Sequence, residues 1–235
     1  MSWHKYNCNV NYFETIDTED KAYWLGFIYA DGCISNDNKT LIINLNPTDV
    51  EHLKLFNQCI ESDYPIIYMD NNRYVALRIS RKEFVDHLID KGCVPRKSLI
   101  LHFPSSDKLP TELVRHFVRG YFDGDGCLHA KFIKRWNKPN PYLSCEINFL
   151  GTYDMLFNIS KFSPIEFSDI RPDGKIYKMR TSSKNKIIKF LDYLYEDSHF
   201  YLQRKFEKYN GIIKGCKTYN DYLLITQDPV TITEI

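Results

Sequence analysis

The chain repeats itself, and that repeat constrains its fold more than any other feature. Trp24-Leu-Gly-Phe-Ile-Tyr-Ala-Asp31-Gly32-Cys33-Ile34 recurs as Val118-Arg-Gly-Tyr-Phe-Asp-Gly-Asp125-Gly126-Cys127-Leu128, an offset of 94 residues. Leu77-Arg78-Ile-Ser80 recurs as Met179-Arg180-Thr-Ser182 at an offset of 102, and Arg96-Lys97 as Arg204-Lys205 at an offset of 108. The order is kept while the offset grows, so the second copy carries insertions. Two copies of one unit, near 15–103 and 104–210, account for this pattern, with no Gly/Ser linker between them. The expected organisation is a first half over 1–103, a second over 104–216 and a tail over 217–235.

Each unit has the same predicted elements. A helix runs from about Thr18 to Ala30, with Asp17, Glu19 and Asp20 around its start and Gly32 just past its end. Its counterpart starts after Pro110 and ends at Gly126. Leu41–Asn46 alternates as a strand and leads to a helix near 49–60. Pro65–Met69 and Arg73–Ile79 form a hairpin around Asp70-Asn71-Asn72. A helix capped by Ser80 closes the unit, with Phe84, Val85, Leu88 and Ile89 on one face. The second unit repeats this, with strands near 142–149, 167–171 and 175–181 and a closing helix after Ser182. The predicted order is αββαββα, twice.

The two repeated helices carry small residues at four-residue spacing: Ala22, Gly26 and Ala30, then Gly120 and Gly124. Glycine inside a helix costs about 1 kcal/mol relative to alanine. A stripe of small residues offsets that cost by letting two helix backbones approach closely. Asp31 and Asp125 each stand in the last turn, where a carboxylate faces the negative end of the helix dipole, an unfavourable contact of about 0.3–1 kcal/mol. Packing the helices side by side also brings the two carboxylates together. Local rules broken in a matched pair mark a functional site, and an oxygen-rich pocket of this kind suits Mg²⁺.

Gly26-Phe-Ile-Tyr-Ala-Asp31-Gly32 and Gly120-Tyr-Phe-Asp-Gly-Asp125-Gly126 resemble the paired signature motifs of the single-chain LAGLIDADG homing endonucleases. The similarity extends to Glu19–Gly26, to Gly92-Cys-Val-Pro-Arg-Lys97-Ser98 and to Leu202-Gln-Arg-Lys205-Phe206, so it covers nearly all of 15–210. It implies an α+β fold of two pseudo-symmetric units, with the motif helices at their interface and curved antiparallel sheets forming a DNA-binding saddle. It further implies a monomeric enzyme that makes a double-strand break in a long pseudo-palindromic site and needs no protein partner to cut. Asp31 and Asp125 would be catalytic metal ligands, helped by the carbonyls of Gly32 and Gly126, and Lys97 and Lys205 would be the active-site lysines. Mg²⁺ is the implied cofactor, with Mn²⁺ substituting and Ca²⁺ supporting binding without cleavage. Two positions depart from the expected pattern. Tyr29 stands where the second motif has Asp123, which makes Asp123 a local hydrogen-bonding residue and not a third ligand. Pro47 and Leu150 fall where a polar residue would order water.

A net charge of only +1 runs against the basic excess usual in nucleic-acid binders, so any basic face must be balanced by acidic residues elsewhere. Strand alternation turns Arg78 outward in one half and Lys178 and Arg180 in the other. With Asn44, Asn46, Asn148, Arg73 and Lys175 they form the expected DNA surface, since Asn pairs with adenine and Arg with guanine in the major groove. The most basic run, with Lys131, Lys134, Arg135 and Lys138, reads as a strand-connecting loop touching phosphates, with Trp136 as its anchor. The tail beyond Thr218 has strand-like character. The seven cysteines contain no C-x-x-C pair and read as buried free thiols. With no signal-peptide pattern or membrane-length apolar run, the expectation is an intracellular protein of a phage, bacterium or organelle, encoded within an intron. The alternatives are an intron RNA maturase or a DNA-binding protein of the same fold that does not cut.

Overall fold

The computed structural model describes residues 5–135, 140–226 and 231–233. In the first half, α1 (Glu19–Asp31) leads through β1 (Gly32–Ile34) and β2 (Leu41–Leu45) to α2 (Val50–Cys59). The hairpin β3 (Ile66–Met69) and β4 (Tyr74–Ile79) then gives way to α3 (Lys82–Asp90). The second half repeats that order: α4 (Val114–Asp125), β5 (Cys127–Arg135), β6 (Tyr142–Gly151), α5 (Tyr153–Phe162), β7 (Arg171–Asp173), β8 (Ile176–Thr181) and α6 (Lys184–Tyr195). Both units are αββαββα, as the repeat predicts. After them come α7 (Gln203–Glu207), continuous with a π-helical stretch Lys208–Gly215, then α8 (Tyr219–Thr226) and β9 (Thr231–Thr233).

The sheets correspond strand for strand. The first has the order β1-β2-β4-β3 and the second β7-β8-β6-β5-β9, with neighbours antiparallel except β5 and β9. Pairs such as Ile43↔Leu77 and Phe149↔Met179 put buried side chains opposite one another on the inner faces. Phe84, Val85 and Leu88 of α3 and Phe190, Leu191 and Leu194 of α6 are all fully buried among them. One continuous apolar cluster runs through both halves.

At its centre lie α1 and α4. Every residue from Ala22 to Ala30 is buried, so α1 is packed all round instead of showing one apolar stripe. A Cβ on Gly26 would overlap the Phe117 carbonyl and lie 2.9 Å from the Tyr121 nitrogen. A Cβ on Gly120 would overlap the Tyr23 carbonyl and lie 2.8 Å from the Phe27 nitrogen. These contact sets map onto each other through the sequence offset, so a pseudo-twofold axis passes between the two glycines. The helices run in the same sense, because Gly124, further along α4, meets Ala30 and Asp31 at the end of α1.

Several local expectations are corrected. Ser80 and Ser182 do not cap the closing helices: the residues preceding them are Arg81 and Ser183, neither making a side-chain cap bond, and Ser80 Oγ pairs with Thr40. The third strand of the second sheet is Arg171–Asp173, later than alternation placed it. Lys131, Lys134 and the backbone of Arg135 belong to β5 and not to a loop, because Phe132 buries itself on the inner face and Lys131 pairs with Ser144 across the ladder. The Arg135 side chain, Trp136 and Lys138 lie outside the described residues. In the tail, Tyr219–Thr226 is helical and only Thr231–Thr233 is extended, pairing parallel with β5. Tyr222 seats this helix by packing its ring 5.3 Å from Phe132. All seven cysteines are free, but only Cys93, Cys145 and Cys216 are buried; Cys8 and Cys59 are half-buried, and Cys33 and Cys127 are exposed because they lie on the outward side of β1 and β5. No helix among the described residues is long and apolar enough to cross a membrane.

Gly26→Ala and Gly120→Ala each force a methyl group into backbone and not into a movable side chain. Overpacking of a core costs about 1–3 kcal/mol, and more where nothing can yield. Chemical denaturation should give at least that loss for either variant, whereas Gly174→Ala, at an open turn with φ +63°, should cost only its local backbone strain. An unchanged midpoint for Gly26→Ala would mean that the helices are not in backbone contact.

Candidate active site

The parallel packing of α1 and α4 delivers Asp31 and Asp125 to one end of the interface. A Cβ on Gly124 would stand 2.3 Å from the Ala30 Cβ and 3.2 Å from Asp31 Oδ2, so glycine there lets α4 approach the end of α1 that carries the carboxylate. Burial raises the Asp31 carboxyl to about 6, and the neighbouring Asp125 adds to the rise, while Lys205, Lys97 and Arg204 oppose it. Asp125 is also raised by its dense surroundings, against the pull of Lys97 and Lys205. Solvent also reaches Asp125, whereas Asp31 is half-buried.

Both lysines are brought to this end, each held by the backbone of its own half. Lys97 Nζ donates to the Ala30 carbonyl at 2.6 Å, one residue before Asp31. Lys205 Nζ donates to the carbonyls of Phe122, Gly124 and Gly126, around Asp125. These carbonyls lie at the C-terminal ends of α1 and α4, where a cation is favoured by the helix dipole; that of Phe122 also accepts from the Gly126 nitrogen at 2.9 Å. The lysines differ in surroundings. Lys97 is half-buried, whereas Lys205 is 5% exposed, and burial lowers its ammonium to about 8 despite the attraction of Asp123, Asp31 and Asp125. Each lysine also serves the opposite half. Lys97 and Asp125 line one cleft of about 320 Å³, closed by Tyr29, Tyr121, Leu150 and Thr152.

Of the two glycine carbonyls expected beside the aspartates, that of Gly126 accepts from Lys205. Gly32 begins β1 and pairs with Ile43. Among the described residues no group of three or more His, Cys, Asp or Glu side chains could hold a metal. The protein's charged oxygen donors at this site are therefore the two carboxylates, hard ligands whose mutual repulsion a divalent cation would relieve.

Two connections tie the halves together around the site. Thr152 Oγ1, capping α5, donates to the Leu101 carbonyl at 2.6 Å, and Asp154 accepts from the Phe103 nitrogen at 2.7 Å. On the other side, Asp49 before α2 accepts from Arg204 Nε at 2.9 Å. Each half thus holds the segment that follows the lysine, or the arginine beside it, in the other. Asp123 is fully buried and accepts from Tyr23, Tyr195 and the Leu202 nitrogen at 2.9, 2.6 and 2.7 Å. This is the local hydrogen-bonding role its place in the motif predicts. Its counterpart Tyr29 donates to the Lys91 carbonyl at 2.6 Å.

The sequence reading missed Arg119. It replaces Leu25 at the same register of the repeat, and that register alone places it in the core. It is fully buried and donates to Glu19 at 2.6 Å and to the carbonyls of Phe200 and Leu194. Glu146 also lies on an outward strand face, but its charge is opposite to the basic and amide pattern expected there.

On those faces Asn44, Arg78 and Arg180 are exposed, and Lys131, Asn148 and Lys178 half-exposed; Asn46 just past β2 and Arg73 and Lys175 in the hairpin turns are also exposed, and Lys134 is exposed near the end of β5 on the side shared with Phe132. Asn46 is committed in part to its own turn, its Oδ1 accepting from Thr48. Ala76, expected to face outward, is 2% exposed because Asn44 and Ile67 flank it on the neighbouring strands. The second sheet carries most of the cationic groups, and the first offers Ile42, Ile67 and amides.

Comparison with solved structures decides the architecture. The chain superposes on LAGLIDADG meganuclease I-AabMI, solved bound to uncleaved DNA, with a TM-score of 0.56 and 14% identity over 87% of this chain and 91% of that one. The LAGLIDADG homing endonuclease I-LtrWI, bound to target DNA, matches with a TM-score of 0.60 and 10% identity over 93% and 97%. I-GzeII, in complex with its DNA target, gives 0.59 and 12% over 88% and 96%. The fold is that of the LAGLIDADG homing endonucleases. No family model matches the chain, and no curated protein does. The LAGLIDADG fold therefore persists here at identities of 10–14%.

The raised carboxyl of Asp31 makes a pH-dependent test of this geometry in the absence of metal. Its folded value of about 6 exceeds the ordinary 3.8, so the folded state binds the proton more tightly. The penalty is absent below about pH 4 and complete above about pH 6. Asp31→Asn should raise the melting temperature by about 2–4 °C at pH 7.5, as expected for about 1 kcal/mol in a chain of this size. The gain should disappear at pH 4. A gain equal at both pH values would mean that Asp31 is not held as a buried carboxylate with a raised pKa.

Proposed function

We propose that this protein is a site-specific DNA endonuclease that makes a double-strand break in a long pseudo-palindromic site by metal-dependent phosphodiester hydrolysis. The observation that carries this reading is the pairing of two carboxylates, one from each half, at the end of a glycine-mediated helix interface beside two lysines. Asp31 and Asp125 would hold Mg²⁺, with Mn²⁺ able to replace it. Held there, a divalent ion would supply a water nucleophile at neutral pH and charge stabilisation for the leaving oxygen. The chain's own part is to set the two carboxylates on the pseudo-twofold axis, so that each half addresses one strand. Lys97 and Lys205 add positive charge where the phosphate gains negative charge. Tyr29, Tyr121 and Leu150 narrow the cleft beside Lys97 and limit water there.

Asp31→Asn and Asp125→Asn should each abolish cleavage by several orders of magnitude while leaving duplex affinity nearly intact, because phosphate and base contacts come from the sheets. Lys97→Met and Lys205→Met should slow cleavage less. A selected site, cut in Mg²⁺ and titrated in Ca²⁺, reads both effects. Near wild-type cutting by either aspartate variant would refute the assignment. Binding without cutting in the wild type would leave a recognition protein of the same fold.

Two unequal halves on one chain support a monomer with a footprint of two half-sites, each about one helical turn or roughly 10 bp. The distribution of charge assigns them different work. Lys131→Ala and Lys134→Ala in β5 should weaken binding to all sequences alike and flatten the salt slope by about one unit per lost phosphate contact. Arg78→Ala should instead relax discrimination at one base pair by about 1–3 kcal/mol. Identical behaviour of all three variants would overturn the division between phosphate and base contacts.

A further inference from the structure

Glu146 is an acidic residue on a surface whose proposed partner is a polyanion, and its surroundings say why. It lies on β6 between the buried Cys145 and Ile147, so its side chain faces outward, opposite His129 of β5. Three neighbours donate to it. Arg180 of β8 reaches Oε2 at 3.2 Å, Ser182 reaches the same oxygen at 3.2 Å, and Asn148 Nδ2 reaches Oε1 at 3.2 Å. Asn148 and Arg180 are themselves directly opposed across the ladder. The carboxylate is 24% exposed, while the Arg180 side chain is 59% exposed. The anion is therefore recessed and the cation stands above it. A solvated ion pair contributes little to stability, so the fold does not require this arrangement.

We propose that Glu146 is a positioning residue for sequence readout, fixing Arg180 and Asn148 as one base-reading unit in the second half-site. This rests on the proposed function. An arginine free to rotate can meet any phosphate, but one held at its root by a carboxylate presents its remaining N–H groups in a single direction. That suits the paired acceptors O6 and N7 on the major-groove edge of guanine. Asn148, with its amide nitrogen committed to Glu146, turns its carbonyl outward as an acceptor, and the exocyclic amines of adenine and cytosine are the donors it meets. The recessed charge also repels phosphate and so penalises non-specific contact, a use of repulsion to gain specificity. The unit reads a guanine beside a base that presents an amine.

The test is selection from a randomised duplex library by wild type, Glu146→Ala, Glu146→Gln, Arg180→Ala and the double variant, with titration of an unrelated duplex alongside. The wild type should show a guanine preference at one position, and Glu146→Ala should lose about tenfold of it, within the range of one bidentate base contact. The same variant should bind the unrelated duplex as well as the wild type or better. Glu146→Gln, which keeps one acceptor, should fall between them. In an Arg180→Ala background, Glu146→Ala should add nothing at that position, the signature of two residues acting as a unit. A uniform loss across all positions, an unchanged profile, or additive effects in the double variant would overturn the inference while leaving the endonuclease reading intact. Failure of the wild type to select any site would remove that reading and the inference with it.

Discussion

Everything at the candidate site depends on one close approach, that of the α1 backbone to the α4 backbone at Gly26 and Gly120. Helices carrying ordinary side chains pack with their axes 8–10 Å apart, and at that range their ends diverge around whatever lies between them. Here each glycine receives a carbonyl of the other helix, and no side chain intervenes. The contact fixes the separation and the sense of the helices together, so the last residues of both arrive at the same place. Burial at this contact raises the Asp31 carboxyl, and repulsion from the neighbouring Asp125 adds to the rise. A backbone contact of the core thus produces an electrostatic property of the surface.

Tightness at one line of contact does not by itself hold two halves in register, and the structure supplies the remainder through crossed polar contacts. Asp49 takes Arg204, Asp154 takes the Phe103 nitrogen, Glu19 takes Arg119 and the His199 nitrogen, and Tyr23 donates to Asp123. Each pairs a residue of one half with a residue of the other. Arg119 and Asp123 are both fully buried in α4, and buried charges of this kind persist only when their hydrogen-bonding capacity is filled. Filling it requires the other half to be present and correctly placed. The segments held by these contacts include those next to Lys97 and Lys205, so the positions of the lysines follow from the docking of the halves.

The pseudo-symmetry is close in backbone and loose in chemistry. Leu25 and Arg119 occupy one register, as do Tyr29 and Asp123, and one lysine is half-exposed while the other is enclosed. The second sheet holds more cationic groups and is lengthened by β9. A symmetric backbone brings the two aspartates to one end of the axis, and unequal side chains give the two sheet faces different chemistry.

The repeat, the small-residue stripes and the two aspartates before glycine were legible in the sequence because each depends on spacing along the chain. Helical and strand periodicity fix which face of an element is apolar, and that determined both αββαββα units and most of the outward strand residues. Where periodicity was weak the sequence misled. Tyr219–Thr226 reads as a strand yet folds as a helix, because Tyr222 gains more by packing on Phe132 than from β propensity. The basic run from Lys131 reads as a loop yet continues β5, because its ladder with β6 is formed by residues about a dozen positions away. What only the tertiary structure decided was the pairings across the axis, Lys97 with the Asp125 cleft, Arg204 with Asp49 and Arg119 with Glu19, and the pairing of Glu146 with Arg180 between strands of the second sheet. No local rule links residues separated by 155, 100 or 34 positions. Their partners are set by how two folded halves dock and by which strands become neighbours in a sheet.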